Sequence, residues 1–431
     1  MDWNIKKIKG TLKGELTVPA DKSISHRAIM FSSIANGKCT IRNFLFGEDC
    51  MRTLEAFRAM GVEITASTDA VTVHGKGLKG LKSPEGELYL GNSGTTMRII
   101  AGILSGQSFT SVLTGDESLS RRPMGRIIEP LLRMGAEIKS LGIEAGHAPL
   151  EIKGRKSPLS PIDYISPVAS AQVKSCVLAA GLYASGTTSL TEPFQSRDHT
   201  ERMLEYFGAP IERKGLLTRI EGGCRLIPRD IEIPSDISSA AFFIVGALIT
   251  EGSHLVVRNV GLNPTRTGII DVLKRMGGSI VILDKRDGLE PAGDVEVKYS
   301  KLKAATIGEE EVPLLIDEIP ILAVASSMAE GVTVISGIKE LKVKETDRVR
   351  SVLDNFSRMG LDAKEERGAL LIQGGAKSIK NEDLDSFGDH RIAMSMAIAA
   401  LAFRKPCVIR DTSCADTSYP HFLEDLEKTT G

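Results

Sequence analysis

Hydrophobic and polar positions along the chain fall into a repeated order. An apolar helix tail, a glycine and then alternating residues recur as FRAMGVEI at Gly61, LLRMGAEI at Gly135, LEYFGAPI at Gly208, LKRMGGSI at Gly277 and FSRMGLDA at Gly360, with successive glycines 74, 73, 69 and 83 residues apart. Glycine accepts the left-handed conformation that stops a helix, and alternation after it suits a half-buried strand, so each tail predicts a helix, a turn and a strand. A second element falls between the tails, where a short strand gives way to a polar cluster and an apolar helix: VPADKSISHRAIM, LGNSGTTMRIIAG, SPVASAQVKSCVLAAG, IPSDISSAAFFIVG, LIDEIPILAVASS and FGDHRIAMSMAIAA. Each cluster supplies Asp, Asn or Ser for an N-cap. The helices that follow are apolar on most faces, which predicts burial all round.

Six units of about 72 residues account for the 431-residue chain almost without remainder. The sixth tail, LEDLEKTTG ending at Gly431, has no strand after it, whereas Ile5 to Ile8 and Glu15 to Val18 read as strands before the first polar cluster. The first residues are therefore expected to complete the last unit. With three units per domain, one domain takes residues 1–20 plus 235–431 and the other 21–234, with crossings near Ala20 and Pro234.

Composition narrows the function. Lysines and arginines number 54 against 55 acids, so no global field steers the chain toward nucleic acid or a membrane surface. Met1 to Gly10 lacks the apolar core of a secretory signal, and the apolar run around Ala240 to Ile249 is short of the ~20 residues that span a bilayer, which predicts a cytoplasmic protein. The six cysteines form no Cys-x-x-Cys pair and the seven histidines lack zinc-site spacing, so they read as reduced thiols with no metal and no cofactor. Helix N-termini attract phosphate and carboxylate. Cations stand at or near many of the repeated helix starts: Lys22, Arg27, Arg98, Lys174, His390 and Arg391, then Arg121, Arg122, Arg197, Arg266, Lys344 and Arg348. In a near-neutral chain this placement predicts a pocket for acidic small molecules. No Walker-type phosphate loop occurs.

The stretches DKSISHRA (21–28), GNSGTTMR (91–98), RRPM (121–124), SAQVKS (170–175), SRDHTERML (196–204), KETDR (344–348) and GDHR (388–391) resemble the 5-enolpyruvylshikimate-3-phosphate synthase family in order and spacing along essentially the whole chain. The resemblance implies an α/β enolpyruvyl transferase fold of two domains, each an inside-out barrel of three βαβαββ units around buried parallel helices. It further implies an active site in the cleft between them and closure about the two crossings. The implied reaction is a step of the shikimate pathway toward chorismate and aromatic amino acids: phosphoenolpyruvate gives its enolpyruvyl group to the 5-hydroxyl of shikimate 3-phosphate and phosphate leaves. By the same resemblance Lys22, Asp317 and Glu345 carry the proton transfers, with Asp317 at the sugar hydroxyl and Glu345 at the methylene carbon. Lys22, Asn92, Gly94, Thr95, Arg122, Arg348 and Arg391 hold phosphoenolpyruvate. Lys22, Ser23, Arg27, Ser170, Ala171, Gln172, Arg197, Asp317 and Lys344 hold shikimate 3-phosphate.

Two positions depart from the family pattern. Ala171 stands where many members have a second serine, leaving one phosphate contact to backbone or to another group, and Thr417 stands where many have lysine. The sister enzyme that transfers enolpyruvyl to UDP-N-acetylglucosamine carries a reactive cysteine in the loop corresponding to Gly115–Met124, and GDESLSRRPM has none. A non-catalytic clamp for polyanions is the rival of another class, and it needs none of Lys22, Asp317 or Glu345. The enzyme is expected to act as a monomer on its two small substrates.

Overall fold

The computed structural model describes all residues except 6–9, 69, 381–382 and 431. The chain forms two compact units, Met1–Pro19 with Pro234–Gly431 and Ala20–Ile233. Among the described residues each unit holds three small sheets.

In Ala20–Ile233 the sheets share one plan. Leu88–Tyr89 lies parallel to Ser111–Thr114, which pairs antiparallel with Leu150–Lys153, itself antiparallel to Glu137–Ser140. Asp163–Ile165, Thr187–Thr191, Leu217–Glu221 and Ile211–Lys214 repeat that order. A parallel pair needs a crossover, and a buried helix supplies it. These core helices are α1 (Lys22–Ser33), α2 (Gly94–Leu104) and α3 (Ala171–Gly181) in this unit, and α4 (Ile237–Ile249), α5 (Ile319–Met328) and α6 (His390–Ala402) in the other. All thirteen residues of α4 are buried, as its apolar sequence predicts. Helices α2 and α3 approach so closely that a Cβ on Gly102 would lie 2.3 Å from the Cys176 carbonyl oxygen, which restricts that position to glycine.

Two of the six parallel pairs are exchanged. Lys13–Leu16 precedes α1 in sequence but pairs with His254–Gly261, whereas Ile231–Glu232 precedes α4 but pairs with Asn36–Arg42. The chain thus crosses between units near 20 and again near 233, leaving one strand behind each time. The N-terminus also joins the last sheet, where Trp3–Ile5 runs antiparallel to Cys407–Arg410. The N-terminal strands sit earlier than the alternation suggested, at Trp3–Ile5 and Lys13–Leu16. Residues 6–8 of the expected strand, and Gly431 of the sixth tail, lie outside the described residues.

Gly61, Gly135, Gly208, Gly277 and Gly360 all have φ between 72° and 95°, so the repeated tails end as their glycines dictate. Five of the six core helices are capped by the predicted residue: Asp21, Ser93, Ser170, Asp236 and Asp389 accept from Ile24, Thr96, Val173, Ser238 and Arg391 N–H at 2.9, 3.2, 3.4, 2.8 and 2.8 Å. The sixth is different. Glu318, at the start of α5, makes no capping bond to that helix.

Candidate active site

Capping turns the polar clusters of Ala20–Ile233 toward the N-terminal ends of α1, α2 and α3. In α1, Lys22 stands directly after the Asp21 cap and its ammonium pairs with Asp49 at 2.5 Å. One turn on, the buried Arg27 donates to the Ser23 carbonyl (3.0 Å), Thr200 Oγ1 (2.7 Å) and Ser175 Oγ (2.8 Å). These three partners are uncharged oxygens, so none of the three cancels the guanidinium charge. Arg197 is half-buried just before the helix His199–Tyr206.

Gly94 opens α2 between two guanidinium groups. A Cβ there would lie 3.0 Å from Arg98 Nη1 and 3.3 Å from Arg122 Nη1. Arg122 donates to Asn92 Oδ1, and the other end of that amide donates to Asp116 at 2.8 Å. Arg98 donates to Gln172 Oε1, while Gln172 Nε2 donates to Thr95 Oγ1 at 3.0 Å, which ties the start of α3 to that of α2. His26 is fully buried behind this layer. Its Nδ1 lies 2.7 Å from Thr53 Oγ1 and 3.3 Å from Thr96 Oγ1. Burial, with Lys22 and Arg27 adding to it, holds the ring well below the usual histidine pKa, so it stays neutral.

In the other unit the site residues gather on one arginine. Arg348 is 2% exposed and donates from Nε to Asp389 (2.8 Å), from Nη1 to Asp317 (2.8 Å) and from Nη2 to Glu345 (2.7 Å). Burial opposes its charge, but Asp389, Glu345 and Asp317 outweigh burial and raise its pKa above the usual arginine range. Lys344 Nζ lies 4.0 Å from Asp317. Arg391 is held differently. Its guanidinium lies 3.6 Å from Asp317 and 3.9 Å from Glu318, beyond hydrogen-bond reach of both, and its side chain makes no hydrogen bond among the described residues.

Within each unit the fold brings the sequence-predicted residues together at helix starts, with exceptions among the cations noted by position alone. Lys174 is not part of an anion site: at 1% exposure it lies between Glu192 (2.6 Å) and Glu201 (2.8 Å), a buried ion triad. Arg266 is likewise turned inward, to Asp236 (3.1 Å) and Ser238 (2.6 Å). Arg121 is exposed and pairs with Glu117. Thr417 sits in a short turn, its hydroxyl donating to the Cys414 carbonyl at 2.8 Å. Asp49, Ser175, Thr200, Glu318 and Asp389 are the residues that sequence reasoning missed. Asp389 had a legible signal, as the cap of the GDHR stretch, whereas Asp49 and Thr200 meet their partners only through folding.

This geometry and chain path define an enolpyruvyl transferase fold. The structure aligns with the enolpyruvyl transferase NikO from Streptomyces tendae at TM-score 0.78 and 18% identity, covering 98% of this chain and 95% of that one. The particular family follows from closer matches. Residues 6–426 match the family model described as EPSP synthase (3-phosphoshikimate 1-carboxyvinyltransferase), and the chain belongs to that family. It is 51% identical to a 3-phosphoshikimate 1-carboxyvinyltransferase of Methylococcus capsulatus, over 98% of this chain and 96% of that protein. A protein of the same description from Geotalea uraniireducens is 53% identical over 97% of each. The solved EPSP synthase of Acinetobacter baumannii is 47% identical, with TM-score 0.88 and coverage of 100% and 98%.

Proposed function

We propose that the protein is a 3-phosphoshikimate 1-carboxyvinyltransferase, moving the enolpyruvyl group of phosphoenolpyruvate to the 5-hydroxyl of shikimate 3-phosphate with release of phosphate. The observation that carries this reading is the Arg348 cluster. One buried guanidinium holds Asp317, Glu345 and Asp389 at 2.7–2.8 Å in a member of this family, which supports reading Asp317 and Glu345 as the pair that moves protons.

The reaction adds the hydroxyl oxygen to the central carbon of phosphoenolpyruvate while a proton goes to the methylene carbon. Phosphate then leaves as a proton is lost from the new methyl group. In this proposal Asp317 takes the hydroxyl proton and Glu345 serves the carbon. Lys22, beside Asp49, brings positive charge to the phosphate and is the further group that passes a proton in the reaction. Arg122, Arg348 and Arg391, with Asn92, Gly94 and Thr95, hold phosphoenolpyruvate. Ser23, Arg27, Ser170, Gln172, Arg197 and Lys344 hold shikimate 3-phosphate, with the backbone N–H of Ala171 as a further donor to its phosphate. Both residue sets act on one pair of substrates, and the enzyme works as a cytoplasmic monomer. Among the described residues no helix is long and apolar enough to cross a membrane.

The test is phosphate release from phosphoenolpyruvate with shikimate 3-phosphate, with UDP-N-acetylglucosamine and with neither. Release with shikimate 3-phosphate alone supports the proposal. Release with only the UDP-sugar assigns the sister activity, and release with neither favours the polyanion clamp.

A further inference from the structure

Glu318 is the one core-helix start whose side chain does not cap its own helix, and its other contacts give the reason. At 1% exposure, its Oε1 accepts from Ser238 Oγ at the start of α4 and lies 3.8 Å from Arg266 and 3.9 Å from Arg391 at the start of α6. Its Oε2 is buried with no hydrogen-bond partner among the described residues. One carboxylate thus links the first turns of all three core helices in its unit. A buried carboxylate keeps such a place only with compensation, here from three helix N-termini and two guanidinium groups.

Arg391 has no other strong restraint. Its side chain makes no hydrogen bond among the described residues and is steered by the charges of Asp317, 3.6 Å away, and Glu318. Asp317 is already bonded to Arg348 at 2.8 Å and lies 4.0 Å from Lys344, so its field is shared. We propose that Glu318 is a positioning residue. Its buried charge holds the Arg391 guanidinium in the orientation that presents its N–H groups to the anionic groups of phosphoenolpyruvate, without itself touching substrate. The inference rests on the reaction proposed above and on Arg391 as a phosphoenolpyruvate ligand.

Glu318→Gln is the informative variant, because an amide oxygen still accepts from Ser238 while the negative charge that faces Arg391 is lost. The expected result is a KM for phosphoenolpyruvate raised about tenfold or more, with KM for shikimate 3-phosphate changed less than about twofold and the unfolding temperature close to that of the unaltered protein. On an Arg391→Gln background, the same substitution should raise KM for phosphoenolpyruvate no further, since the group it orients is gone. An unchanged KM in the single variant, equal rises for both substrates, or a full additional rise in the double variant each overturns the proposal. Should the unaltered protein release no phosphate from the substrate pair, the assigned reaction fails. The positioning role is then read by calorimetric binding of phosphoenolpyruvate alone: about tenfold weaker binding in Glu318→Gln retains it. Equal binding, or none to the unaltered protein, removes it.

Discussion

Replacing Arg348 with methionine keeps the aliphatic stem and removes the charge and every donor. Asp389 has no exposed side-chain surface and Asp317 only 12%, so neither can recover by turning to water, whereas Glu345 at 25% can in part. Breaking a buried ion pair from one side costs about 3–5 kcal/mol. Taking about 4 kcal/mol, and about 2–4 °C per kcal/mol for a unit of roughly 200 residues, the unfolding temperature at pH 7 should fall by about 8–16 °C. The deficit should depend on pH with a definite sign. Without the guanidinium, burial and mutual repulsion raise the folded-state carboxyl pKa values above their unfolded values near 4. Groups raised in this way cost nothing below the unfolded pKa and destabilise increasingly as pH climbs through the folded value. Calorimetric melts of Arg348→Met and the unaltered protein from pH 4.5 to 8 should therefore diverge with rising pH, and turnover should drop at least about a hundredfold. A deficit below about 2 °C at pH 7, or one that widens toward acid, would refute the account of Arg348 as the clamp of three ionised carboxylates.

Other changes test the rest of the description. Lys174→Met should cost about 3–5 kcal/mol by leaving Glu192 and Glu201 buried without their cation, and adding Glu201→Gln should restore part of it in chemical denaturation. Gly94→Ala should leave the melting temperature nearly unchanged, because the position is helical and the atoms it meets are side-chain ends. It should raise KM for phosphoenolpyruvate about tenfold by displacing the Arg98 and Arg122 guanidinium groups, read in steady-state kinetics. His26 stays neutral in the fold, so as pH falls below about 6.5 the unfolded chain takes up a proton that the folded one refuses, and stability drops. His26→Asn should flatten that slope in melts between pH 5 and 7, and an unchanged slope would remove His26 as its source.

Much of the site was legible in the sequence because it is built on local devices. The Asp21, Ser93, Ser170, Asp236 and Asp389 caps lie within three residues of the N–H groups they satisfy, so the helix starts, and with them Lys22, Gly94, Gln172 and Arg391, could be placed from the pattern alone. Glu318 broke that pattern because its partners, Ser238 and Arg391, lie on other helices. Lys174 and Arg98 show the limit more sharply. Each follows a repeated polar cluster, yet one is sealed between Glu192 and Glu201 and the other faces Gln172. Position in the repeat could not separate them, since the difference lies in which acids the neighbouring segments bring near.

By itself the amino-acid order determined the repeated unit, the glycine stops, the all-round apolar helices and the family, because period, capping and left-handed glycine act over a few residues. Only the tertiary structure decided which strand each unit keeps, as when Lys13–Leu16 joins His254–Gly261, and which charges meet, as when Arg348 gathers Asp317, Glu345 and Asp389. Those pairings join segments far apart in the chain. They exist because burying a charge or a strand edge is unfavourable until a distant partner satisfies it, and no local pattern records where that partner will come from.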